Sequence, residues 1–221
     1  MNTPSVPRRT FLSTVAAGAA VVPALSLACA PGSASSATTP ADELETWFAG
    51  MTGPHKIIYD CSEPPGGPNG ILFARNFMTL GQEKLGTTDA QMSVVVSFRH
   101  LATPYGFTDA MWAKYPQFAA LLKLDDPTTK KPAARNIPMH DEVMGFAGAS
   151  LPALTSRGVK FTVCGAATTF IAGVLAGKDG DAKAIEAELS ANLIPSARIV
   201  PAGVVGVQRA QKAGFAYTYA G

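Results

Sequence analysis

The 221-residue chain has little charge and few of the short motifs that announce a chemistry. Charged residues make up 15 % of it, and the mean hydropathy is +0.16. No basic stripe and no interleaving of arginine with aromatics is present, which argues against a nucleic-acid partner. No Gly-x-Gly-x-x-Gly and no P-loop Lys-Ser/Thr occurs, so the two common nucleotide cradles are missing. There is no Gly-x-Ser-x-Gly elbow and no evident carboxylate pair for acid–base work. Cysteine is scarce too. The three present, Cys29, Cys61 and Cys164, form no Cys-x-x-Cys, so no compact metal motif can be read from spacing.

What the N-terminus does contain is an export pattern. Arg8 and Arg9 stand in Pro-Arg-Arg-Thr-Phe-Leu, and residues 13–27 are uncharged and apolar or small. Paired arginines before a mild apolar stretch indicate a twin-arginine signal. With Pro23 in it, the stretch falls short of the ~20 residues that span a bilayer. The expected destination is the periplasm, an oxidising compartment. Two maturation routes stay open. Ser26-Leu27-Ala28-Cys29 approaches a lipobox, which would place a lipid anchor on Cys29 and make this the one contact with a membrane. Alternatively, ordinary signal peptidase cuts near Ala28-Cys29-Ala30 or residues 34–37 and leaves the protein free. Residues 1–37 are thus assigned to the signal and linker, 38–55 to a helical segment and 56–221 to one α/β domain.

Arg8 and Arg9 account for the whole formal net charge of +2, so the chain beyond the signal is neutral overall. Its low charge and apolar balance predict surface buried in a homo-oligomer. The twin-arginine route carries folded proteins, so a cofactor inserted before export (zinc, copper or haem) is one expectation among several.

Hydrophobic periodicity alternates strand and helix. Strands are expected over 56–59, 91–98, 159–163, 197–200 and 215–219. Helices are expected over 41–51, 71–85, 108–122 with a kink or break at Pro116, 140–155, 166–175, 181–193 and 204–212. Residues 62–70 read as a Gly/Pro loop. Residues 123–138 read as an aperiodic excursion, of the kind that serves as a flap, a partner contact or a disordered loop. The alternation predicts a flavodoxin-like α/β fold, an open, mostly parallel sheet of about five strands with helices on both faces.

In such a sheet, ligands gather at the carboxyl ends of the strands. Cys61 follows Lys-Ile-Ile-Tyr-Asp, His100 follows Val-Val-Val-Ser-Phe-Arg, and Cys164 follows Lys-Phe-Thr-Val. Cys164 precedes Gly165 and a helix, where unpaired amides and the helix dipole favour a thiolate. Cys61 ends the first strand, which in many such sheets neighbours the third. The two thiols are therefore candidates for a structural disulfide, a redox pair or two soft metal ligands, with His100 as a nearby polar group or third ligand.

Three segments carry a resemblance to the DsrE-like family, also called YchN-like, over roughly residues 56–221. They are Val-Val-Val-Ser-Phe-Arg-His ending at His100, Phe-Thr-Val-Cys-Gly-Ala-Ala ending at Ala167, and the closing stretch from Ile194 to Tyr217 with Gln211 and Gly214. The resemblance implies a flavodoxin-like parallel sheet, assembly into dimers, trimers or hexamers, and a cysteine able to carry persulfide sulfur. Cys164 matches that cysteine's position; Cys61 and His100 rest on strand-end placement alone. The expected function is an exported persulfide carrier or thiol redox protein that exchanges sulfur with a protein or small-thiol donor and acceptor. The rival expectation is a non-catalytic periplasmic binding or assembly module with a structural disulfide.

Overall fold

The computed structural model describes residues 40–221. The twin-arginine pair Arg8–Arg9, the cleavage sites, Cys29 and the 1–37 segment lie outside the described residues. The chain opens with α1 (Pro40–Ala49), β1 (His55–Cys61), α2 (Gly66–Leu85) and β2 (Met92–Phe98). Next come the short helices α3 (Asp109–Lys114), α4 (Gln117–Leu122) and α5 (Leu151–Ser156), then β3 (Lys160–Cys164). It closes with α6 (Gly165–Ala176), α7 (Ala182–Ala191), β4 (Ala197–Val200), α8 (Gly203–Lys212) and β5 (Ala216–Tyr219).

The five strands form one open sheet in the order β4-β3-β2-β1-β5, and every pairing is parallel. This is the flavodoxin-like α/β architecture that the alternation predicts. β2 (Met-Ser-Val-Val-Val-Ser-Phe) is buried along its whole length, as a central strand covered on both faces must be. From β1 to β4 the chain steps one strand at a time toward one edge. From β4 to β5 it reverses and crosses the whole sheet. Right-handed crossovers therefore put α2 to α7 on one face and α8 on the other, where α1 joins it.

Two apolar clusters follow from this layering. On the broader face Tyr59, Cys61, Val96, Phe98, Phe161 and Val163 meet Ile71 and Met78 of α2, Trp112 of α3 and Phe118 of α4. On the α8 face Ile58, Val95 and Val200 pack with Leu44 and Phe48 of α1 and with Val207, Ala210 and Phe215. Among the described residues no helix is long and apolar enough to cross a membrane.

Three elements differ from the sequence reading. α2 begins at Gly66, five residues before the expected Ile71. The glycines taken as loop punctuation are there because the helix packs close: a Cβ on Gly67 would sit 2.1 Å from the Tyr105 ring, and one on Gly70 would sit 2.3 Å from Cys61 Sγ. The helix expected over 140–155 is present only as α5. Upstream, Met144, Gly145 and Gly148 adopt positive φ of 52°, 72° and 80°, which no helix accommodates. The first and third strands are not neighbours either, since β2 lies between them. Pro116 does divide 108–122, into α3 and α4.

The 123–138 excursion is pinned to the domain. Arg135 bonds Asp126 at 2.6 Å and Asp141 at 2.6 Å. The fully buried Asn136 donates its side-chain amide to the carbonyls of Tyr105 and Phe107. The Arg135 guanidinium and two backbone amides hold the Asp126 carboxyl well below the usual carboxylate range.

Candidate functional site

Adjacent strands whose following connections leave for opposite faces open a crevice at their carboxyl ends. In this sheet that pair is β3 and β4. β3 ends at Cys164 and runs directly into α6 on one face; β4 ends at Val200 and leads to α8 on the other. Cys164 pairs with Val200 in the register, so its side chain lies at the reversal point.

Its sulfur is held by both helices. Cys164 is the N-cap of α6, and its Sγ accepts the backbone N–H of Ala167 at 3.3 Å. It also accepts the N–H of Gly203, the first residue of α8, at 3.1 Å. Two helix N-termini thus direct amide protons and positive dipole ends at one sulfur, which is the arrangement that complements a negative charge there. Gly203 makes the approach feasible: a Cβ at that position would lie 2.4 Å from Arg99 Cβ. Gly165 has the matching role beside the β4 end, where a Cβ would meet Val200 O at 2.9 Å.

Cys164 is 6 % exposed and forms part of the floor of a cavity of about 340 Å³. Leu101, Leu121, Phe170, Ile171 and Val204 supply most of its walls, with Arg99 and His100 as its polar residues. His100 has a left-handed backbone, φ 50°, at the start of a 3₁₀ run. Its exposed ring places Nδ1 3.5 Å from Glu63 Oε1. The structure therefore brings Cys164 and His100 to one cavity.

Cys61 is not brought there. It belongs to the cluster under α2, on the face of the sheet opposite α8, and β2 separates its strand from that of Cys164. Two strand spacings amount to about 10 Å, beyond the ~7 Å Cα limit for a disulfide. Both cysteines are free. The expected disulfide, redox pair and shared metal set built on Cys61 with Cys164 do not assemble. Cys61 is fully buried, with Gly70 of α2 packed against its sulfur. Burial and the neighbouring Asp60 carboxylate push its thiol far up, so it stays a neutral thiol. Among the described residues no three of His, Cys, Asp and Glu gather so as to hold a metal ion.

Sequence reasoning singled out Cys61 and His100 and passed over the residues before them. Asp60 is 3 % exposed and accepts a two-point bond from Arg99, at 2.7 and 2.9 Å, plus the Tyr217 hydroxyl at 2.9 Å. Bonding to Asp60 raises the Arg99 guanidinium further, and burial and Asp60 together raise the Tyr217 hydroxyl. This group ties β1, β2 and β5 together beside the cavity. A charge at the end of each apolar strand was its legible signal.

In the short turn between β1 and α2, the N–H groups of Ser62 and Glu63 donate to Gly221 O at 2.6 and 3.0 Å. His140, at the far side of the excursion, pairs with Asp109 at 2.5 Å, and His55 opens β1.

Fold and site together define a doubly wound, all-parallel α/β protein with a cysteine seated at its switch crevice. No protein-family model, curated protein or solved structure matches the chain.

Proposed function

We propose that the protein is an exported sulfur carrier that exchanges sulfane sulfur through Cys164. The observation that carries the reading is the sulfur itself: a thiol at the floor of a cavity, held by the amides of Ala167 and Gly203. In the first step the Cys164 thiolate attacks the outer sulfur of a donor persulfide. The donor S–S bond breaks, the donor leaves as a thiolate and takes up the proton that Cys164 gave up on ionising, and Cys164 holds the new S–S bond. In the second step an acceptor thiolate attacks that outer sulfur, and Cys164 departs as a thiolate. The two amides stabilise this negative charge in both steps, and no external oxidant or reductant is consumed.

The DsrE-like resemblance of the segments around Cys164 and α8 supports the same reading, and the Arg8–Arg9 pattern supports export to the periplasm. With Cys61 on the other face, a mixed disulfide at Cys164 is resolved by the partner's thiol and not by Cys61. The binding-module alternative loses its structural disulfide, because both cysteines are free. Exposed Leu80 and Leu85 in the lining of an apolar groove of about 590 Å³ at the β1–β5 edge support the expected self-association.

A sulfur-transfer assay tests the proposal, with a persulfide donor, a thiol acceptor and catalytic amounts of protein. Transfer that survives in Cys61→Ser and vanishes in Cys164→Ser is the expected result. Transfer that is unchanged in Cys164→Ser refutes it.

A further inference from the structure

Resting on that reading, we infer the substrate class of the cavity: a small, uncharged, apolar organic thiol or persulfide, and not an anionic thiol peptide. The walls contributed by Leu101, Leu121, Phe170, Ile171 and Val204 offer a ligand's body nothing to hydrogen-bond. The volume, about 340 Å³, is at the low end of the ~300–1,000 Å³ usual for small-molecule sites.

Charge at the cavity is already matched within the protein. Arg99 directs two of its nitrogens at the buried Asp60 carboxylate, and His100 faces Glu63. The amides of Ala167 and Gly203 are engaged with Sγ, and that of Ala166 donates to Pro201 O. A ligand carboxylate would meet cations already neutralised by Asp60 and Glu63, and elsewhere it would lie against leucine and phenylalanine. Burying an unpaired charge of this kind is costly. An apolar body incurs no such penalty and gains by leaving water.

Disulfide exchange at Cys164 reads this directly. The thiolate attacks one sulfur of a probe disulfide, the S–S bond breaks, one probe half leaves as a thiolate and the other stays on Cys164. Full-chain protein is treated with an uncharged dipyridyl disulfide and, separately, with the dianionic bis(nitrobenzoate) disulfide. Each rate at Cys164, located by peptide mass, is divided by the rate of an uncharged small thiol with the same probe. The inference predicts a normalised preference of about tenfold or more for the uncharged probe. It also predicts that Val204→Lys, at an exposed wall position, shrinks the preference by accelerating the dianion. Equal normalised rates, or a preference for the dianion, overturn the inference and leave the sulfur-carrier reading standing. A Cys164 that exchanges with neither probe overturns both.

Discussion

Gly203 donates its backbone N–H to Cys164 Sγ at 3.1 Å, across 39 residues of sequence and from the opposite face of the sheet to α6. The contact exists because the chain reverses direction after β4 and brings the start of α8 to the end of β3. Gly203→Ala should disturb it specifically. The added Cβ would meet Arg99 Cβ at 2.4 Å, so the start of α8 must move away from Cys164. The expected outcome is a loss of about 1–3 kcal/mol in denaturant unfolding and slower exchange at Cys164, with Cys61 still silent.

Cys61 and Gly70 form a packing pair. Gly70→Ala should destabilise by about 1–3 kcal/mol, because its Cβ would overlap Cys61 Sγ. Cys61→Ala removes that obstacle, so the double variant should recover part of the loss. A double-mutant cycle that shows no coupling between the two sites would contradict this assignment of Cys61 as a core residue.

How much of this was legible in the sequence differs from element to element. Apolar runs at β1, β2 and β3 and the break at Pro116 were readable because local pattern and burial agree there. Gly66 to Gly70 were misread because turn and tight helix packing ask for the same residue, and only the Tyr105 ring and the Cys61 sulfur distinguish them. Met144 was invisible as a break, since nothing local marks a methionine with positive φ. The position of Cys164, at the end of β3 and the start of α6, was legible from the strand–Cys–Gly–helix context. Its second donor, Gly203, depends on strand order, which spacing does not encode, and the same missing information allowed Cys61 to be paired with it.

Asp60 and Arg99 should respond unequally to substitution. Arg99→Leu leaves the Asp60 carboxylate, 4 % exposed, without its cation, whereas Asp60→Asn leaves an Arg99 that is 24 % exposed and can turn to water. The first should cost about 3–5 kcal/mol and the second distinctly less, by chemical or thermal unfolding. Equal costs would show that the pair is not asymmetrically buried.

Acid should loosen the excursion before the sheet. The Asp126 carboxyl is held below its ordinary range by Arg135, so in this region the unfolded chain takes up its proton first. The stabilisation is therefore complete above the unfolded value of ~4 and is lost as the pH falls through the lower folded value. Hydrogen-exchange protection across 123–145, relative to the intrinsic rate at each pH, should hold down to about pH 4 and fall below it. In Arg135→Ala the segment should be less protected already at neutral pH, and acid should cause a smaller further loss.

The most direct test of the central claim is peptide-resolved mass analysis after brief treatment with a persulfide donor and then an alkylating reagent. Cys164 is predicted to carry one added sulfur beneath the alkyl group, while Cys61 stays unmodified until the protein is unfolded. An unmodified Cys164, sulfur added at Cys61, or a Cys61–Cys164 disulfide would contradict the account.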